Sequence, residues 1–482
     1  MKNKHLTTFI FFALFLTSAR ASDMEFKKLA TDFLLQNADV WVAESQIKIS
    51  NLSLESIDAT LAWKIITGAS IVENDLDAST SVNTSAGKVD SYGLEIQKPW
   101  WWGGSLSLKN DFRKVAVNPK VLAIFGGANA QVYEFAQTLS YSQDIGKNIL
   151  GRDYKEQILA ANLKLSRAKI QSNQQVEDLI FSLYQVYIKA RLSRTLLDLQ
   201  EEALTRATKR KQLIARRVRD GLSNKAELYQ VQIAEISQEE QLRIEDGQLK
   251  SQLFELKRLL RDRVETETIG NLNLGDIDVP KKTDDFIYKN RDMATIEKDI
   301  ELSHSTLRRL RFSSWPEMSL ALKYKTNDYD KDSNEAISNG NFGGDKFEKT
   351  IAFNLTWPLG NEENKIQKGL STISLASQIK KRDDLQNRIL TTEKELQTQV
   401  GILSRNINSS RQRIGLAQVA LREYNKLYEL GRATLDQVIR AEEDLIQTQR
   451  KLSDYLSQKR ILVASLAKLY GELTIFLLGN NA

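Results

Sequence analysis

Two stretches of this chain, Val218 to Leu228 and Tyr428 to Val438, are one motif written twice, and each breaks a very long run of helix-forming residues at a glycine, Gly221 and Gly431. The repetition extends further. Asn37, Ala38, Asp39 and Val40 with Glu44 match Asn290, Arg291, Asp292 and Met293 with Glu297 at an offset of 253, and Ser142 to Gly146 match Thr356 to Gly360 at an offset of 214. The fall from 253 to 214 leaves 39 extra residues in the first half, which we assign to an insertion near residues 90–130. A period this long means two copies of a whole structural unit, not a short-repeat solenoid.

The five prolines, at 99, 119, 280, 316 and 358, all avoid residues 152–263 and 361–472, which are rich in Leu, Gln, Glu, Lys, Arg and Ala. Both segments therefore read as helix. Val176, Leu179, Leu183, Val186 and Ala190 step by three and four, as do Leu445, Gln449, Leu452, Leu456, Lys459, Val463, Leu466 and Tyr470, which is coiled-coil spacing. Runs of roughly 70 residues before each glycine and roughly 40 after it, about 100 Å and about 60 Å at 1.5 Å per residue, predict a rod.

Six of the seven tryptophans, Trp63, Trp100, Trp101, Trp102, Trp315 and Trp357, fall instead in windows 57–142 and 314–358, where apolar and polar residues alternate. Phe353, Leu355 and Trp357 point one way and Asn354 and Thr356 the other; Met318, Leu320, Leu322 and Tyr324 alternate with Ser319, Ala321 and Lys323. This alternation predicts strands with one apolar face. The tips, Glu73 to Lys88 and Asn327 to Lys346, have the composition of solvated loops. Around the aromatic run Lys98 to Gly104, residues 92–96 and 105–109 read as strands, so the insertion is either a third strand or an elongated hairpin.

Met1 to Ala21 has a positive start, an apolar core from Leu6 to Leu16 and a small-x-small site at Ala19, Arg20 and Ala21, the pattern of a cleaved secretory signal. Lys2, Lys4 and Arg20 supply three of the six net positive charges, so nucleic-acid binding loses its main support. There is no cysteine, which excludes disulfides, thiolate metal sites and a lipid-modified amino terminus, and the two histidines, His5 and His304, are too few for His-based catalysis or a multi-His metal site. No cofactor and no enzyme activity is implied. An exported chain with aromatic-ended strands fits a membrane barrel. Two repeats give roughly four principal strands, too few to close a barrel, whose open edges cannot sit in lipid. Several copies must then share one barrel.

Helix, hairpin, long helix, glycine break and helix, repeated twice behind a signal, resembles the TolC-type outer-membrane efflux protein family over essentially the whole mature chain. The marks are Asn290 to Met293, Trp315 to Met318, Trp357 to Gly360, and Tyr428 to Asp436 with Val438, Ala441 and Glu442. The resemblance implies a mainly α fold with membrane β: two tandem helix–β-hairpin–long-helix repeats, and a homotrimer in which a 12-stranded outer-membrane β-barrel continues into an α-helical periplasmic barrel of coiled coils. It implies a channel-tunnel in the outer membrane of a Gram-negative bacterium, extending into the periplasm and working with a periplasmic adaptor protein and an inner-membrane pump or ABC transporter, in efflux or type I secretion.

On this reading residues 1–21 are the signal, 22–56 the first amino-terminal helices, 57–143 the first strands, 144–263 the first long helices with a tip at 221–224, and 264–283 a linker. The second repeat comprises a helix at 284–313, a hairpin at 314–358, long helices at 359–473 with a tip at 431–434, and a tail at 474–482. Gly221, Leu222, Ser223, Gly431, Arg432 and Ala433 stand at the positions of the adaptor-docking tips. Glu227, Asp436, Gln437 and Arg440 fall at the periplasmic entrance, where this sequence departs from the acidic pattern of the family and predicts a gate of mixed charge, with Arg440 paired to Glu227 or Asp436. The tryptophans would sit at the membrane interface, against outer-membrane lipid. A periplasmic coiled-coil adaptor or a non-conducting exported scaffold is the alternative.

Overall fold

The computed structural model describes residues 24–73, 86–117, 131–260, 269–272, 275, 277–357 and 359–479. The expected signal, part of the linker and Pro358 lie outside them. The chain divides into two compact units, each assembled from both sequence repeats.

The first unit draws on residues up to 46, 169–296 and 381–482. Its body is the long helices α3 (Arg152–Arg219), which begins in the other unit, α4 (Lys225–Leu260), α7 (Glu362–Glu429), which also begins in the other unit, and α8 (Leu435–Leu469). Both α3 and α7 are 68 residues long, and no proline interrupts either. Leu183, Ile188, Leu256, Ile407 and Leu456 from the four helices are almost wholly buried in one apolar cluster. Each such side chain contributes about 1.5–3 kcal/mol on leaving water. Helix α1 (Met24–Gln36) adds Phe26 and Phe33 to the cluster. The Phe26 ring lies edge-on to Tyr184 at 5.0 Å, where burial pushes the Tyr184 hydroxyl up to about 12. Leu445, Leu452, Leu456, Lys459, Val463 and Leu466 are all buried along α8, so the spacing read from the sequence is the packed seam of this helix.

The second unit comprises residues 47–168 and 297–380 and carries the sheet. Helix α2 (Ala38–Ala59) leads into it. The strands are β1 (Lys64–Glu73), β2 (Ala86–Pro99), β3 (Gly104–Val117), β4 (Gln131–Asp144), β5 (Glu317–Asp330) and β6 (Phe347–Thr356). They lie in sequence order, each antiparallel to the next. Helix α5 (Arg291–Ser313) is tied to the start of α3 by charged contacts. Arg167 meets Asp299 at 2.8 Å, Arg309 meets Asp153 at 2.9 Å, and Glu156 accepts from Ser305 and Arg308 at 2.9 and 3.2 Å. Among the described residues no helix is long and apolar enough to cross a membrane.

The architecture is the expected helix and strand order, twice over, but among the described residues the strand count is six rather than four. The first repeat contains four of these strands because, of the two readings of the insertion, a third strand or an elongated hairpin, the structure shows the hairpin, β2 and β3. The sequence could not distinguish these outcomes, since alternation fixes strand character but not which strand pairs with which. The protomer's sheet thus holds two strands more than the four counted from the repeats. The second correction concerns the segment Asn327 to Lys346, expected as a solvated loop: it contains the end of β5 and an eight-residue helix, α6 (Ser333–Gly340). The Asp332 side chain caps α6 by accepting from Asn334 N, and the helix buries Ala336 and Gly340, a local signal that the polar composition masked.

Candidate functional site: paired helical tips and a two-faced sheet

Both glycine motifs end their helices in the same way. Gly221 N donates to Val218 O at 3.2 Å and Leu222 N to Arg217 O at 2.7 Å; Gly431 N donates to Tyr428 O at 3.0 Å and Arg432 N to Leu427 O at 2.8 Å. This is the Schellman arrangement, which needs a left-handed residue, and the two glycines have φ of 73° and 70°. A Cβ added at either would meet nothing within 4 Å, so glycine is required by the backbone and not by space. We expect Gly431→Ala to cost about 1–2 kcal/mol of strain, read as a lowered denaturation midpoint at unchanged slope. The following helices are capped from within the motif: Asn224 accepts from Glu227 N at 2.8 Å, and Thr434 forms a capping box with Gln437.

The fold brings the two tips together. Ile214, Val231 and Leu435 are buried against one another, with Val218, Leu228, Tyr428 and Ile439 around them. Glu227 is held by Ser223 from its own tip and by the Tyr428 hydroxyl of the other, which donates at 3.3 Å. Burial and the nearby Glu227 charge push the Tyr428 hydroxyl up, so it keeps its proton and remains a donor, while Arg217 lies 5.1 Å over its ring. Asp436 and Arg440 pair with each other at 2.9 Å on the exposed surface, so of the two partners expected for Arg440 the structure selects Asp436. Gln437 serves the cap. Gly221, Leu222, Gly431 and Arg432 are exposed, Ser223 and Ala433 half-buried, and Leu222 and Leu430 leave 70% and 61% of their surface to solvent.

Along the helices leading away from the tips three buried carboxylates bridge α3, α4 and α8. Glu442 on α8 accepts from Arg206 Nε at 2.8 Å and from Arg210, both on α3. Glu235 on α4 accepts from Thr208 Oγ1 at 3.0 Å and from Lys211. Glu245 on α4 is fully buried and accepts from Arg450 on α8. Burial, with Arg206 beside it, pulls the Arg210 guanidinium below its ordinary value. The sequence marked Glu442 only as part of the second glycine motif, and the other two not at all. The available signal was Glu442 itself, a charge three residues before Leu445 and four after Val438 on the apolar seam.

The sheet has two chemically different faces, assigned by register because paired residues share a side. One cross-strand row runs Ile65, Ile96, Leu108, Leu139, Tyr324 and ends at Lys349, and the next starts at Lys98 and runs Leu106, Tyr141, Leu322, Ile351. The opposite face carries Gln97, Ser107, Ser140, Lys323, Thr350 and then Glu95, Lys109, Thr138, Lys325, Glu348. Near the tryptophan-bearing end the apolar face is open, with Ile65, Leu322, Ile351 and Phe353 70%, 41%, 77% and 57% exposed, whereas at the other end α6 covers Thr326, which donates to Gly340 O at 2.9 Å, and Phe342 packs on Tyr324. Exposed apolar rows of this kind mark an interaction surface, for a membrane or for another protein surface.

All six strand-associated tryptophans gather at one rim, where strands adjoin helices. Trp63 precedes β1, Trp315 precedes β5, Trp357 follows β6, and Trp100, Trp101 and Trp102 form the turn from β2 to β3. Trp100 and Trp102 stack at 5.2 Å. Cations join them: Lys98 over Trp63 at 5.8 Å, Lys155 over Trp101 at 5.2 Å, and Arg152 over Trp315 at 5.3 Å. The seventh tryptophan, Trp41, is exposed on α2.

No protein-family model matches the sequence, and no curated protein matches it. Solved structures do. The chain is similar to CusC, described for its folding and transmembrane channel formation, at 16% identity and a TM-score of 0.71, covering 95% of this chain and 96% of that one. It is similar to the outer-membrane protein VceC of Vibrio cholerae at 15% identity and TM-score 0.68, covering 93% and 96%. It is also similar to the Campylobacter jejuni CmeC outer-membrane channel at 14% identity and TM-score 0.67, covering 93% and 86%. With its tandem helix–strand–helix units and its antiparallel six-stranded sheet among the described residues, the chain has the fold of these outer-membrane channels.

Proposed function

We propose that this chain is a TolC-type outer-membrane factor: a homotrimeric channel of a Gram-negative outer membrane that extends into the periplasm and conducts substrates handed over by an inner-membrane pump or ABC transporter through a periplasmic adaptor, in efflux or type I secretion. The observation that carries this reading is the two-faced sheet, with open apolar rows near the tryptophans on one side and charged rows on the other, which suits lipid outside and water inside. Its edges support sharing between copies. Strands β1 and β6 are both ten residues long, largely exposed, without a strand partner on their outer sides among the described residues, and run in opposite directions, so the β6 edge of one copy can continue antiparallel onto β1 of the next. Such edges must be paired within lipid.

In this reading Gly221, Leu222, Ser223 and Gly431, Arg432, Ala433 present the adaptor-docking surface, with the exposed leucines as its apolar contacts. Glu227, Asp436, Gln437 and Arg440 line the entrance, where the Glu227 contact with Tyr428 holds one tip against the other. The tryptophans with their cations sit at the membrane interface. The test is mass in detergent with single-channel conductance in planar bilayers. A trimer of small conductance is expected, and Glu227→Ala should raise that conductance several-fold, with a smaller effect for Arg440→Glu. A water-soluble monomer without channel activity would overturn the reading.

A further inference from the structure

We infer that the β2–β3 hairpin is part of the barrel wall, so that three copies enclose eighteen strands and a bore about 1.5 times as wide as twelve strands would give, since barrel diameter grows roughly linearly with strand number. The inference rests on the trimeric reading above but concerns the protomer's own wall. Four observations support it.

The hairpin is not at an edge. It lies in line between β1 and β4, and β3 is paired on both sides along its length, from Pro99 opposite Ser105 to Ala86 opposite Val117, and from Gly104 opposite Gln143 to Ala116 opposite Gln131. Its two faces continue those of the other strands. Leu94, Ile96, Leu106 and Leu108 extend the apolar face, while Glu95, Ser107, Lys109 and Arg113 extend the polar one, where Arg113 meets Glu134 of β4 at 3.5 Å. Its turn lies on the same aromatic rim as Trp63, Trp315 and Trp357. That turn is also built into the unit: a Cβ on Gly151, where α3 begins, would lie 2.0 Å from the Trp101 carbonyl oxygen, and Gln143 donates to Trp102 O at 3.2 Å. Finally, two added strands keep the number even, so β1 and β6 still run in opposite directions.

The consequence is a barrel lumen suited to bulky, hydrated cargo, its added wall lined by alternating cations and carboxylates. Strand counts in this range leave an open aqueous channel.

The test uses the absence of cysteine from the chain. A nitroxide on Lys325→Cys in the detergent-purified protein gives one label-to-label distance in a symmetric trimer by pulsed electron double resonance. We expect that distance to be about 1.5-fold longer than in a variant lacking residues 86–117, in which β1 is followed directly by β4; equal distances would overturn the proposal. Should the shortened variant fail to fold, the full chain answers by another route. Ser107→Cys should react with a charged, membrane-impermeant thiol reagent while a fluorophore on Leu108→Cys is quenched by nitroxide-labelled lipid. Water access at both positions would place the hairpin outside the wall and overturn the proposal. The detergent mass is read separately, so a chain that is not trimeric would count against the assembly without deciding whether β2 and β3 face lipid.

Discussion

Glu442→Ala is expected to lower the stability of the helical tips by roughly 3 kcal/mol, the lower end of what breaking a buried ion pair costs. The carboxylate is only 6% exposed and receives two guanidiniums, Arg206 at 34% exposure and Arg210 at 14%. Removing it leaves both cations on α3 without their shared partner, in a region whose burial already disfavours the charge on Arg210. Arg206 can turn toward Glu202, which it approaches at 3.5 Å, and that partial rescue is why the lower figure is chosen. The loss should appear as a reduced midpoint in denaturant and as an increased open fraction in bilayer recordings, because the pair joins α3 to α8 close to the tip. Replacing the trio by apolar residues of similar volume should recover most of the stability, since a buried ion pair offsets its own desolvation only narrowly. A Glu442→Ala midpoint equal to that of the parent would mean that the charge cluster contributes nothing.

Leu322→Arg should abolish insertion, whereas Ala321→Arg, one residue away, should be tolerated. Leu322 lies on the apolar face in a row with Tyr141 and Ile351, and Ala321 on the other face between Ser142 and Ala352. An arginine facing lipid near the midplane of a barrel costs about 2–4 kcal/mol, and a trimer incurs that cost three times. An arginine facing the lumen stays in water and should instead shift ion selectivity toward anions. The checks are the amount of trimer recovered from membranes and the reversal potential in asymmetric salt. Equal recovery of the two variants would remove the assignment of the faces and with it the main support for the channel.

Much of this protein was legible because its strongest signals are local. Gly221 and Gly431 mark helix ends through backbone conformation alone, and the steps along α8 from Leu445 to Tyr470 mark a buried seam. The alternation from Met318 to Tyr324 identified a strand and its apolar side. Where local signals competed, the reading failed: the polar run after Asn327 concealed α6, although Asp332 was its cap. The six tryptophans were recognised as strand-end residues, but their convergence on one rim required the pairing of β2 with β3.

The sequence by itself determined the duplicated unit, the helix breaks and the alternation, because each depends on residues within a few positions of one another. Only the tertiary structure decided that the insertion is two full strands within a six-stranded sheet, that Glu227 meets Tyr428 across 201 residues of chain, and that Glu442 meets Arg206 across 236. The physical reason is that local preferences fix the course of the backbone, whereas the partners of a strand edge or a buried charge are fixed by which distant surfaces pack together.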